Sequence, residues 1–183
     1  MKGRMLKSGL VMFVCAAAAG SLMANDDGDR DHGHNKDGRF VVRAELIGLQ
    51  EVPAVSTPAH GSFRAVVDTV ANTITYRLTY DSLEGTVTQS HVHFGQRNVN
   101  GGISFFLCSN LTTPAPPPGT QACPTPPAEV VGVITPENVI GPAGQGIPPA
   151  AFAEIAAAMD DGFAYANVHS TLAPGGEIRG QLR

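Results

Sequence analysis

His91 and His93 flank Val92 at i and i+2. On a β-strand that spacing sends both imidazoles out of one face and the valine out of the other. Two neutral ring nitrogens on one side are a common offer to copper or zinc. A third histidine, His169, closes the run Tyr165-Ala166-Asn167-Val168-His169, where the same alternation groups Tyr165, Asn167 and His169 against Ala166 and Val168. If the two strands are neighbours, three imidazoles converge, and Glu51 or Glu177 can supply a carboxylate ligand or an anchor behind a ring. The competing reading is that these histidines hydrogen-bond loop carbonyls and carboxylates, or face solvent on a polar sheet face. Nucleophilic catalysis has no candidate, because no G-x-S-x-G elbow is present and Cys108 is expected to be oxidised. Phosphate-binding loops are absent too.

The elements that would hold these residues read as strands. Residues 74–80 alternate for seven positions, with Ile74, Tyr76, Leu78 and Tyr80 on one face and Thr75, Arg77 and Thr79 on the other. Residues 42–46 and 63–68 behave similarly, the mark of half-buried antiparallel strands. Residues 68–72 connect two of them. Further strands are expected at 87–94, 103–107, 130–134, 164–170 and 177–182. About eight short strands punctuated by Gly, Pro and Asn predict an antiparallel β-sandwich or Greek-key barrel. One helix is expected within residues 149–161, after Pro148-Pro149, with Phe152, Ile155, Ala156 and Met159 at helical spacing and Gly162 as its stop.

The 183 residues suffice for one domain, and the two ends of the chain differ. Lys2, Arg4 and Lys7 precede an apolar run over residues 10–20, and small residues then lead to Ala24. That is the pattern of a signal peptide covering residues 1–24, too short for a comfortable membrane span. Cys15 falls within it. Residues 25–38 contain no apolar side chain and are expected to be a disordered acidic and histidine-bearing tail. The calcium-loop pattern fails there, since His32 stands where glycine belongs and Gly38 where the closing glutamate belongs.

Net charge is −4 for the full chain and −7 without residues 1–24. That sign argues against nucleic acid as a partner, because phosphate binding rests on clustered Lys and Arg. After removal of the signal no apolar run is long enough to span a membrane. Cys108 and Cys123 then form an even pair in an exported chain, which implies a disulfide. A metal thiolate pair lacks a supporting CxxC. The disulfide would pin a Pro-rich insertion at 108–127, whose seven prolines deny it a central strand position.

Three segments are similar to a known family. Leu46-Ile47-Gly48-Leu49-Gln50-Glu51-Val52-Pro53 resembles the opening motif of the CHRD (chordin) domain, and Ser90-His91-Val92-His93-Phe94-Gly95 resembles its central strand. Tyr165-Ala166-Asn167-Val168-His169-Ser170, followed by Pro174-Gly175-Gly176-Glu177-Ile178-Arg179-Gly180-Gln181-Leu182, resembles its close. The likeness runs from about Val41 to Arg183, within a domain expected to cover 39–183, and the insertion and Ala54 depart from it. It implies an immunoglobulin-like, superoxide-dismutase-like sandwich or barrel, in a family without a settled activity.

Three functions then compete. The first is a non-enzymatic exported binding or structural module, bacterial and periplasmic or secreted, whose protein or surface ligand the sequence does not name. The second is a periplasmic copper- or zinc-binding protein using His91, His93 and His169. The third, a dismutase-like enzyme, ranks last, since only His60 and His169 remain to supply a bridging imidazole, a fourth copper ligand and a zinc site. Bland roles are expected elsewhere: Arg179 paired with Glu177 or Glu51, Gly175-Gly176 in a turn, Pro53 ending or bending the first strand, and Asn167 as a motif residue beside His169.

Overall fold

The computed structural model describes residues 38–183. The expected signal peptide and nearly all of the expected tail lie outside the described residues. Eight strands form one antiparallel sheet: β1 (Arg39–Ile47), β2 (His60–Asp68), β3 (Thr73–Asp81), β4 (Val87–Phe94), β5 (Gly102–Ser109), β6 (Ala128–Ile134), β7 (Ala164–Ser170) and β8 (Ile178–Gln181). The strand order is β5-β4-β7-β8-β1-β2-β3-β6. The sheet curls into a nearly closed barrel with β5 and β6 at its seam. This meets the all-β expectation, with every predicted strand present.

Period-two patterning is strict where one face meets water. On β1, Phe40, Val42, Ala44 and Leu46 point into the core and the residues between them are exposed. On β3, Ile74, Tyr76, Leu78 and Tyr80 do the same. Side chains such as Phe63, Leu78, Phe105 and Ile178 are removed from solvent, each contributing roughly 1.5–3 kcal/mol of burial. The helix α1 (Phe152–Asp160) packs Phe152, Ile155, Ala156 and Met159 inward, as its spacing predicts, and lies against β1 and β7. It starts two residues later than its alanine run, because Ala150 adopts a left-handed φ of 65°. Gly162, at φ 75°, follows its C-cap.

The Pro-rich insertion closes the seam. Cys108 on β5 is disulfide-bonded to Cys123. The Ser109 amide donates to the Gln121 carbonyl at 2.9 Å. The Gln121 side-chain amide donates to Val131 O on β6 and to Tyr76 Oη on β3. Tyr76 in turn donates to Leu107 O on β5 at 2.8 Å. A segment unable to act as a strand thus supplies the polar links that edge strands otherwise leave open.

Two local expectations need correction. The first strand ends at Ile47, where a 3-10 turn over Gly48–Gln50 takes over, so Pro53 lies beyond the strand and does not end it. Arg179 does not pair with Glu177. Its guanidinium donates to Gln96 O, Val99 O and Asn100 Oδ1. Glu177 Oε1 instead accepts from Thr57 Oγ1 at 2.8 Å and from the Glu84 amide at 2.7 Å. Glu177 sits just before β8, outside its pleat, so the i, i+2 argument for the pair does not apply.

Candidate metal centre

The pairing of β4 with β7 assembles the histidines. Their register sets Gln89 opposite His169, His91 opposite Asn167 and His93 opposite Tyr165. On β5, Phe106 lies opposite His91. On β8, Arg179 lies opposite Asn167. Alternate residues on these strands, among them Val92, Phe105, Ala166, Val168 and Ile178, enter the hydrophobic core. The histidine row therefore occupies the face of the sheet turned away from it.

That face is covered by loops. His93 Nδ1 meets Gly101 O at 3.0 Å, and His169 Nδ1 meets Pro174 O at 3.0 Å. Asn100 Nδ2 donates to Val52 O. Under this cover His91, His93 and His169 are all buried, His91 completely. One potential ligand nitrogen from each of the three lies within 4.8 Å of the others, the only such cluster of His, Cys, Asp or Glu among the described residues.

Hydrogen bonding fixes the tautomer of His169. A ring nitrogen facing a carbonyl oxygen must carry the proton, so His169 holds its hydrogen on Nδ1 and leaves Nε2 bare. His91 Nε2 faces Gln89 Oε1 at 3.1 Å, and with the ring hydrogen on that side its Nδ1 is bare. Both bare nitrogens, His91 Nδ1 and His169 Nε2, are buried without a hydrogen-bond partner. His93 has a partner on each side, Gly101 O at Nδ1 and the Asn167 side-chain amide, 3.1 Å away, at Nε2, and as a neutral ring it donates to only one of them. Burial, reinforced by neighbouring imidazoles, pushes the His91 pKa down from 6.5 to about 2. Burial takes His93 to about 4 and lowers His169 as well. All three rings are neutral near pH 7, the state in which imidazole binds a metal.

Glu51 and Arg179 frame the cluster. Burial drives the Glu51 carboxyl up to about 7 against the opposing pull of Arg179, the Val52 amide and Asn167. Glu51 Oε1 is buried without a partner. Arg179 lies over Tyr165, 3.4 Å from the ring centroid. Of the residues singled out in the sequence, His91, His93, His169, Asn167, Glu51 and Arg179 share this region, whereas Glu177 is engaged by Thr57 and Glu84. His60 is exposed on β2, its Nδ1 facing Pro58 O. Sequence reasoning passed over Phe106, whose ring meets His91 edge-on at 4.4 Å. It also missed Gln89, Gly101 and Pro174. Gln89 was within reach, two residues before His91 on the same strand, but backbone carbonyls have no residue signature.

An eight-stranded, disulfide-tied antiparallel barrel with three imidazoles gathered beneath its loops defines the class of domain. Residues 42–182 match the family model of the CHRD domain, and the chain belongs to the CHRD-domain family. No curated protein and no solved structure matches it.

Proposed function

We propose that this CHRD-domain protein is an exported, non-enzymatic metal-binding module in which His91, His93 and His169 hold one copper or zinc ion. The observation that carries the reading is the pair of bare, buried nitrogens, His91 Nδ1 and His169 Nε2, beside a third imidazole. Leaving a buried polar atom unpaired costs roughly 1–3 kcal/mol, and a cation removes that cost at both atoms. The nitrogens of a tetrahedral zinc site at roughly 2.0–2.1 Å from the metal stand roughly 3.4 Å apart, so the rings close by modest rotation from their 4.8 Å span. Carbonyl acceptors on the far nitrogens of His91 and His169 are the partners that orient metal-binding imidazoles.

Export is supported by the Cys108–Cys123 disulfide, by the signal-like residues 1–24 and by the extracellular setting typical of CHRD domains. Among the described residues no helix is long and apolar enough to cross a membrane. A dismutase-like activity gains no support, because His60, the one other histidine among the described residues, is exposed on β2. A metal-free binding module is the second reading, favoured by His93, whose two nitrogens already have polar partners in Gly101 O and the Asn167 side-chain amide.

The deciding experiment is calorimetric titration of chelator-treated protein with Zn(II) and Cu(II), beside His91→Ala/His169→Ala and His32→Ala/His34→Ala variants. One ion per chain, bound more tightly than about 1 μM and lost in the first variant alone, supports the metal module. Binding that follows His32 and His34 overturns it and leaves the second reading.

A further inference from the structure

Residues 38–183 contain seven arginines and no lysine. Five of the seven, Arg43, Arg64, Arg77, Arg97 and Arg183, lie on one strip of the barrel's outer surface. Strand register builds its centre, since Arg43 on β1 is directly opposite Arg64 on β2, and Arg64 is directly opposite Arg77 on β3. All three are exposed. The strip continues through Arg183, whose backbone exchanges two hydrogen bonds with Arg43. It ends at a 350 Å³ hollow lined by Arg43, Arg97, Arg183, Glu45, Gln50 and Gln181.

Like charges placed directly opposite across strands are unfavourable, and the chain as a whole is acidic. Arg77 is relieved by Glu129 at 2.5 Å. Arg43, Arg64, Arg97 and Arg183 form no ion pair among the described residues. Glu45 and Glu129 sit at the two ends of the neighbouring row, opposite Ser62 and Thr79 respectively, so Arg64 in the middle has no carboxylate facing it. A second row beside the arginines, Val41, Val66, Thr75 and Val133, offers a shallow apolar shelf.

We propose that this strip binds an acidic polysaccharide lying across the strands, its carboxylates on Arg64, Arg43 and the Arg97–Arg183 hollow, its ring carbons against the valine row. Strand spacing of roughly 4.7–4.9 Å repeats arginine positions regularly across β3, β2 and β1, and a linear polyuronate carries carboxylates at a similarly regular repeat along its length. The exclusive use of arginine fits forked recognition of planar carboxylates. A fluid anionic membrane imposes no such repeat, which favours a polymer of fixed spacing.

The test is binding of an oligogalacturonide to the full chain by calorimetry, with anionic phosphatidylglycerol vesicles as a parallel arm. Arg43→Gln/Arg64→Gln should weaken oligogalacturonide binding at least about tenfold, with a melting temperature equal to or above that of the parent. Arg39→Gln, paired with Asp68 and two rows away, should leave binding unchanged. Raising salt from about 50 to about 500 mM should weaken binding through screening. Chelator or His91→Ala/His169→Ala should have no effect, which separates this surface from the histidine cluster. The proposal falls if the parent protein does not bind oligogalacturonide at low salt, if the Arg43/Arg64 variant binds as well as the parent, or if vesicles alone are bound.

Discussion

His93 and Tyr165 lie face to face, with ring centroids 4.6 Å apart and planes within 2°. The relationship follows from their opposition across β4 and β7. Arg179, from β8, covers the other side of the phenol ring at 3.4 Å. The result is a three-layer stack of imidazole, phenol and guanidinium across three adjacent strands. The stack is also the root of the covering loop, because Arg179 donates to Gln96 O, Val99 O and Asn100 Oδ1. One residue thus clamps the loop and backs the ring that backs His93.

Replacing Arg179 by alanine should therefore cost more than a surface arginine does. Hydrogen bonds from a charged donor contribute about 1.5–3 kcal/mol each when buried, but they are correlated here, so a total loss of about 3 kcal/mol is expected. For a chain of this size that corresponds to a fall in melting temperature of roughly 6–12 °C. Arg179→Lys keeps the charge without the planar fork and should recover less than half of the loss. Thermal melts of the three proteins check this, and a change below 2 °C for the alanine variant, well under the roughly 2–4 °C per kcal/mol expected at this size, would show the clamp to be unimportant.

Stability should fall on acidification. His91, His93 and His169 are held neutral by burial, with folded pKa values depressed to about 2 for His91 and about 4 for His93. The unfolded chain binds protons on these rings as pH drops below 6.5, so their contribution is complete above 6.5 and is lost from there down through the folded values. Glu51 acts with the opposite sign, its folded pKa raised to about 7, so ionising it in the fold costs stability as pH rises from 4.5 to 7. Three imidazoles outweigh one carboxyl below pH 6.5. Urea midpoints of chelator-treated protein should be lower at pH 5 than at pH 7, and His91→Phe should flatten the difference.

Gly176 should tolerate no side chain. Its φ is 125°, and an added Cβ would stand 2.2 Å from Glu51 Oε1 and 3.0 Å from Asn167 Nδ2. Relief requires displacing Glu51 or shifting the loop, on top of a backbone strain of order 1–3 kcal/mol. Gly176→Ala should lower the melting temperature and, by moving Asn167 against His93, weaken zinc binding. Gly175→Ala, with nothing within 4 Å of its Cβ, is the matched control. Equal melts for the two variants would contradict the crowding.

The legible part of this molecule is the part that faces water. On β1 and β3 solvent lies on one side, so Phe40 to Leu46 and Ile74 to Tyr80 alternate cleanly and the strands could be placed from sequence. β4 and β7 are covered on both faces, the second by loops, so His91, Asn167 and His169 look like exposed polar positions although they are buried. Strand parity still grouped them correctly, because side-chain direction depends on the pleat and not on what covers it. The cover was not legible. It depends on which carbonyl each loop presents, and Gly101 O and Pro174 O leave no mark on the residue type. Glu177 was misassigned for a related reason, lying one residue outside a strand whose parity was extended to it.

The seam yields the last prediction. β5 and β6 are edge strands joined through Tyr76, Gln121 and the Cys108–Cys123 bond, which closes a 15-residue separation. Loop-closure entropy assigns such a bridge about 3 kcal/mol, and the proline content of the insertion already restricts the unfolded chain, which lowers the gain. Cys108→Ser/Cys123→Ala should therefore lose about 2–3 kcal/mol, read as the shift of a urea midpoint at constant slope. Because Gln121 is anchored only two residues from Cys123, the same variant should loosen the strut between the edges. Amide hydrogen exchange should then rise in Leu107, Val131 and Gly132 while β8 and β1, on the far side of the barrel, keep their protection. Exchange rising equally in all strands would mean that the bridge stabilises the whole fold without holding the seam.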